Sequence, residues 1–232
     1  MESTTDYQVA ISWAQELLGE INAAKVHIGP GEFLEAWRSA DSFSFTRTSE
    51  PTYGQAFGPN PHFDPRWGKV AVSHSKFGPV WNGLQIANQF DFYGCKPEVI
   101  AGFEDIEIIN NDEFITEFLK ANAEHSSVYP GNPEIIFWAG VENKAIAALV
   151  KWSSGTYVLA SVATKESERG KGLATKLTKQ IISKAATLGI QELYLGVAHK
   201  NVGAIKAYKN AGFFELAEFT NYFLDLSLQS KH

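Results

Sequence analysis

Between Val162 and Thr175 the chain reads VATKESERGKGLAT: an apolar run, a charged turn bearing two glycines, and the start of a helical pattern. Gly170 and Gly172 admit backbone angles and close approaches that a Cβ would forbid. Amides freed at the start of the following helix point at one spot, where the helix dipole also favours negative charge. Arg169 and Lys171 add cationic donors. The ligand such a turn suits is a phosphate or pyrophosphate. An ordinary β–α turn with a glycine pair and solvated charges fits the turn alone equally well. Two competing phosphate motifs fail: Gly-x4-Gly-Lys-Ser/Thr is absent, and Thr175 stands where a GxGxxG pattern needs its third glycine.

A second constellation follows: Asn201, Ala204, Tyr208, Gly212 and Phe213, spaced as Asn-x-x-Ala-x-x-x-Tyr-x-x-x-Gly-Phe. On a helix the first three share a face, and Asn201 stands where an N-cap belongs. Tyr208 also fits a plain core aromatic. The six histidines are scattered without HExxH spacing, and Cys95 is the single cysteine, so neither a metal site nor an intrachain disulfide is expected. Cys95 itself reads as a buried structural thiol. The stretch from Phe57 to Trp67, rich in proline and aromatics, could line an acceptor pocket but reads better as loop packing.

The elements that must position these residues are legible from Phe103 onward. Ile106, Ile108 and Ile109 indicate a strand, and Asn111-Asp112 can cap a helix carrying Phe114, Ile115, Phe118 and Leu119. Residues 135–141, 145–152 and 157–164 read as a three-strand meander with tight turns. Leu173, Leu177, Ile181, Ala185 and Leu188 keep one face of a helix that Gly189 can end. A strand at 193–198, a helix from Asn201 to Ala211 and a strand at 219–226 complete the order β-α-β-β-β-α-β-α-β. Before this, Val9, Trp13, Leu17, Leu18 and Ile21 mark an amphipathic helix, and residues 29–97 suggest short strands in irregular loops.

On its two motifs the stretch from Phe103 to Leu226 resembles the GNAT N-acetyltransferase superfamily. Arg169-x-x-Gly172-x-Ala174 satisfies the family's Gln/Arg-x-x-Gly-x-Gly/Ala signature; in the usual structural register Gly170-Lys171-Gly172 is the Gly-x-Gly, and Ser167 replaces a Gln or Arg. The resemblance implies an α/β fold: a mixed, mostly antiparallel sheet flanked by helices, preceded by a smaller α+β part. The division is then 103–232 for a catalytic domain and 1–102 for a degenerate GNAT-like or acceptor-covering part. It implies acetyl-CoA as co-substrate and a primary amine, in a small molecule or a peptide, as acceptor, joined by direct attack in a ternary complex. Val162, Ala163 and Thr164 would pair with the pantetheine arm, and the Val162 N–H would face the thioester oxygen. Arg169, Gly170, Lys171, Gly172, Leu173, Ala174 and Thr175 would hold the pyrophosphate, and Asn201, Ala204 and Tyr208 would complete the cofactor site. Tyr208 would assist the departing thiolate. Tyrosine's pKa near ~10 against a thiol's ~8.5 makes hydrogen bonding the better role than full proton transfer. The strand 157–164 offers no carboxylate as base, and Glu166 and Glu168 are expected to face solvent.

Composition sets the remaining bounds. The 232 residues carry a net charge of −6, without the basic footprint of a nucleic-acid or anionic-membrane binder. The N-terminal stretch lacks a basic flank and apolar h-region, and no apolar run approaches ~20 residues, so a cytoplasmic protein is expected. Monomer and homodimer both remain open. A CoA-binding sensor without turnover is the alternative function, and a longer acyl donor is a variant of the first.

Overall fold

The computed structural model describes residues 1–29, 31–73 and 85–224. The chain forms two compact units: Met1–Phe92 with Ala198–Lys200 and the stretch from Glu215, and Tyr93–Val197 with Asn201–Phe214.

The first unit opens with β1 (Glu2–Thr4), α1 (Tyr7–Leu18) and the short α2 (Ala24–His27). Asp6 caps α1 by accepting from the Gln8 and Val9 amides, and Gly19 ends it at φ 89°. The helix buries Ala10, Trp13 and Ala14, so its inner face is rotated from the expected one: Val9 is exposed and Ile21 lies beyond the helix. Trp13 sets that rotation by packing under the Arg38 guanidinium, 4.6 Å from the ring centre. Then follow β2 (Phe33–Arg38), β3 (Phe43–Arg47), β4 (Tyr53–Phe57), β5 (Lys69–Ser73) and β6 (Gln85–Cys95). The last strand among the described residues, β12 (Phe214–Phe223), lies between β5 and β6, giving the order β1-β2-β3-β4-β5-β12-β6. β4 and β5 run parallel with four consecutive pairs, Tyr53↔Lys69 to Ala56↔Val72. The loop from Gly58 to Gly68 is packing: Trp67 is fully buried, meets Phe63 edge-on, and donates from Nε1 to the Thr46 hydroxyl at 2.6 Å. That hydroxyl in turn donates to Asp64 at 2.7 Å. Trp67 lies directly on Gly54, where a Cβ would come within 2.0 Å of the indole.

The second unit carries β7 (Glu107–Ile109), α3 (Asp112–Asn122), β8 (Ile135–Val141), β9 (Ala145–Lys151), β10 (Tyr157–Thr164), α4 (Leu173–Thr187), β11 (Leu193–Ala198) and α5 (Val202–Ala211). The order β7-β8-β9-β10-β11 is antiparallel except for β10 and β11, a mixed and mostly antiparallel sheet with helices against it. Asn111 caps α3 through the Phe114 amide, and Glu142 and Asn143, both at φ 51°, make the tight β8–β9 hairpin. One face packs on α3 through Ile115, Phe118 and Leu119. The other packs on α4 and α5 through Leu177, Ile181, Ile182 and Tyr208. Burying each of the three aliphatic side chains of α4 contributes about 1.5–3 kcal/mol. Leu188 leaves the expected stripe and is exposed, because the helix ends at Thr187 and Gly189 turns the chain at φ 75°. The final strand starts at Phe214, earlier than expected, and residues 225 and 226 of its expected span lie outside the described residues.

Candidate active site

The site is built where β10 parts from β11. The parallel register between them covers only Tyr157↔Leu193 and Val158↔Tyr194; past that point β10 pairs with β9 alone. A bulge then intervenes. Against β9 the register runs Ala160↔Ala148 and next Ala163↔Ile146, so Ser161 and Val162 together oppose Ala147. Ser161 holds φ 51°, a left-handed backbone uncommon for a non-glycine residue. Its hydroxyl donates to the Val128 carbonyl at 2.8 Å and accepts from the Val128 amide at 3.1 Å. Val128 belongs to the layer under α3, so Ala160 and Ser161 both turn that way. The inserted residue resets the alternation: Val162 joins the opposite layer with Leu173, Ala204 and Tyr208, while Ala163 returns to the α3 side. Ser161 is the site residue that sequence reasoning missed. A serine in an apolar strand gives no sign of a bulge.

The strand ends at Thr164, a 3₁₀ turn covers Glu166–Glu168, and Gly170 and Gly172 adopt φ 77° and 80°. Gly172 is the N-cap of α4, with no side chain capping it and no acidic residue in the first turn. An ideal Cβ on either glycine would meet nothing within 4 Å. The left-handed backbone, rather than any lack of room for a side chain, is what favours glycine at both positions. Uncapped amides at a helix start are a ready anion site.

The charged side chains of the turn do other work. Arg169 donates to the Asn122 carbonyl at 3.1 Å and reaches the Thr164 carbonyl at 3.4 Å. Asn122, at the end of α3, also accepts from the Glu166 amide at 3.2 Å, so it clips the turn twice, and no motif marked it. Lys171 pairs with Glu168 at 3.1 Å. Glu168 is thus held in the turn rather than facing solvent as expected, because the lysine three residues on neutralises it. Thr175 donates to the Ala207 carbonyl at 3.3 Å and ties α4 to α5.

Asn201 caps α5 through the Ala204 amide at 3.1 Å, and Gly212 closes it at φ 109°. Tyr208 is buried to 7% exposure, its ring edge-on to Phe213 at 6.3 Å. Its hydroxyl has no protein partner among the described residues. Burial pushes its pKa well above the usual value of 10, so the group is a neutral donor. Cys95 is buried in the same layer, its thiol pushed up to about 12, and stays protonated. Among the described residues no three His, Cys, Asp or Glu side chains cluster to hold a metal, and no helix is long and apolar enough to cross a membrane.

Residues 103–213 match the model of the acetyltransferase (GNAT) family. They form a GNAT acetyltransferase domain. The chain is 30% identical over 87 residues to the uncharacterized N-acetyltransferase YvbK of Bacillus subtilis (strain 168). That match takes in 38% of this chain and 56% of the relative, little more than half its length. Two solved structures share the fold across nearly the whole chain. A GCN5-related N-acetyltransferase from Sphaerobacter thermophilus superposes with a TM-score of 0.56 at 12% identity, covering 97% of this chain and 95% of that one. An acetyltransferase of the GNAT family from Colwellia psychrerythraea gives 0.53 at 14% identity, covering 97% and 100%. At such identities the likeness is one of fold, and it extends past the GNAT domain into the first unit.

Proposed function

We propose that the protein is an acetyl-CoA-dependent N-acetyltransferase acting on a primary amine by direct attack in a ternary complex. One observation carries this reading: a bulged strand parting from its parallel neighbour runs into a turn of uncapped, glycine-freed amides. The fit to coenzyme A is chemical. Residues 170–175 offer main-chain donors to a diphosphate, and the edge of β10 beyond Val158 offers backbone groups to an amide-bearing arm. Arg169 and Lys171 are assigned to shaping the turn, since both are held by protein partners.

Acetyl-CoA supplies an acetyl group on a thiolate leaving group. The Val162 amide would meet the thioester oxygen as it gains negative charge, and a preorganised donor there is worth about 3 kcal/mol. Tyr208 would donate a hydrogen bond to the sulfur; its raised pKa makes this more favourable than giving the proton away. Asn201 holds α5 so that Ala204 and Tyr208 face the cofactor layer. The first unit is read as a degenerate copy. Apart from the short added α2 it follows β-α-β-β-β with a parallel fifth strand, yet β4 and β5 stay zipped through four pairs and no helix follows β4. A copy without the gap and the helix start has nowhere to seat a second cofactor.

The test is calorimetric titration of acetyl-CoA followed by an amine screen reading free thiol. Saturable binding with thiol release is expected. Binding without release across a broad panel, unchanged by Tyr208→Phe, would instead make the protein a CoA sensor. No binding would remove the cofactor reading altogether.

A further inference from the structure

The chain leaving α3 is tied at both ends to the stretch that the proposed function assigns to the acyl donor. At its start, Asn122 turns its amide nitrogen back onto the Phe118 carbonyl at 2.9 Å. That bond fixes the amide plane and leaves Oδ1 to accept from the Glu166 amide at 3.2 Å. The Asn122 carbonyl accepts from Arg169 at 3.1 Å. It is among the last carbonyls of α3, where the helix dipole favours a cation. At the other end, Val128 holds the Ser161 hydroxyl through both its backbone groups, at 2.8 and 3.1 Å. The partners run in opposite chain order, Asn122 with Glu166 and Val128 with Ser161. Residues 122–128 therefore lie back along residues 161–166 as a strap. The strap is also stiffened within itself. The Ser126 amide donates to the Ala123 carbonyl at 2.9 Å, and the Tyr129 hydroxyl donates to the Glu124 carbonyl at 3.3 Å. Val128 is buried in the layer under α3.

What the strap holds is the part of the site least able to hold itself. Past Val158 β10 no longer pairs with β11 among the described residues. After Arg169, two glycines at φ 77° and 80° lead into α4. Glycine loses more conformational freedom on ordering than any other residue. Amides in such a turn bind a ligand well only where the chain on either side is already fixed. The body of α4 fixes the far side. On the near side, the clips from Asn122 to Glu166 and Arg169 come directly before Gly170.

We propose that Asn122 is a positioning residue of the acyl-donor site: it presets the phosphate turn at one end of the strap, while Ser161 presets the Val162 amide at the other. The proposal rests on the acetyl-CoA reading. Asn122→Ala and Asn122→Asp test it by calorimetry with acetyl-CoA, by thermal melting, and by hydrogen exchange of the unliganded protein. Alanine removes the acceptor but is the better helix former, so Asn122→Ala should melt close to the parent. It should exchange faster at residues 166–172 and bind acetyl-CoA about three- to tenfold more weakly. Asn122→Asp keeps an acceptor for the Glu166 amide and should recover most of that affinity. It should nonetheless melt lower, because it adds negative charge at a helix C-terminus. An asparagine with a structural role only would make affinity follow melting temperature in both variants, and that result would overturn the proposal. Unchanged affinity in Asn122→Ala, with the parent binding normally, would overturn it alone. A parent that binds no acetyl-CoA would overturn the acyl-donor reading and the proposal with it.

Discussion

Two side chains carry predictions of opposite kinds. Tyr208→Phe keeps the ring against Phe213 and removes only the hydroxyl. Losing one hydrogen bond to a developing thiolate costs about 1.5–3 kcal/mol, so kcat should fall ~10- to 100-fold with acetyl-CoA affinity nearly unchanged, as steady-state kinetics would show. His199 is the second. Its Nδ1 lies 2.8 Å from the buried Asp91 carboxylate, and that hydrogen bond and charge raise the imidazole above its usual 6.5. A pKa raised on folding gives stability that is complete below about 6.5 and is lost as pH climbs through the folded value. NMR titration should place His199 above free histidine, and Asp91→Asn should bring it down; an unshifted imidazole would dismiss the pair. Tyr208 and Asn201 were visible in the sequence because a helix repeats them on one face. The His199–Asp91 pair was not, because 108 residues separate its members and only the fold joins them.

At the scale of elements, the bulge in β10 and the turn before α4 make separable predictions. Ser161→Ala leaves both polar groups of the buried Val128 unpaired and keeps a Cβ on a left-handed backbone. A loss of about 1–3 kcal/mol in urea unfolding is expected, together with weaker acetyl-CoA binding as Val162 loses its placement. Gly172→Ala should cost only about 1–2 kcal/mol of stability, because no protein atom lies near the added methyl. Its affinity for acetyl-CoA should fall more steeply, since that methyl stands where the diphosphate is proposed to sit. Equal losses in both measurements would argue that the turn is structural. The sequence located the strands and helices of the second unit closely, from the cap at Asn111 to the stop at Gly212. It did so because periodicity, caps and glycine stops all agree there. The first unit resisted. Gln55, Thr46 and Asp64 are buried among aromatic strands, so polarity no longer reports which face is inside.

Over the whole molecule, the two units should respond differently to ligand. Hydrogen exchange with saturating acetyl-CoA should slow at residues 158–175 and 201–208, while β4 and β5 keep their rates. Protection spread equally over β4 and β5 would contradict a cofactor-free first unit. The placement of β12 carries another consequence, one about time. Its strand sits between β5 and β6, yet it is made more than a hundred residues after them. During synthesis the first unit therefore emerges before β12 is made and must wait for it. A fragment ending at residue 102 should show no cooperative melt by circular dichroism, and fusing residues 214–224 to its end should restore one. A nonsense change within β12 would then damage the first unit more than the second.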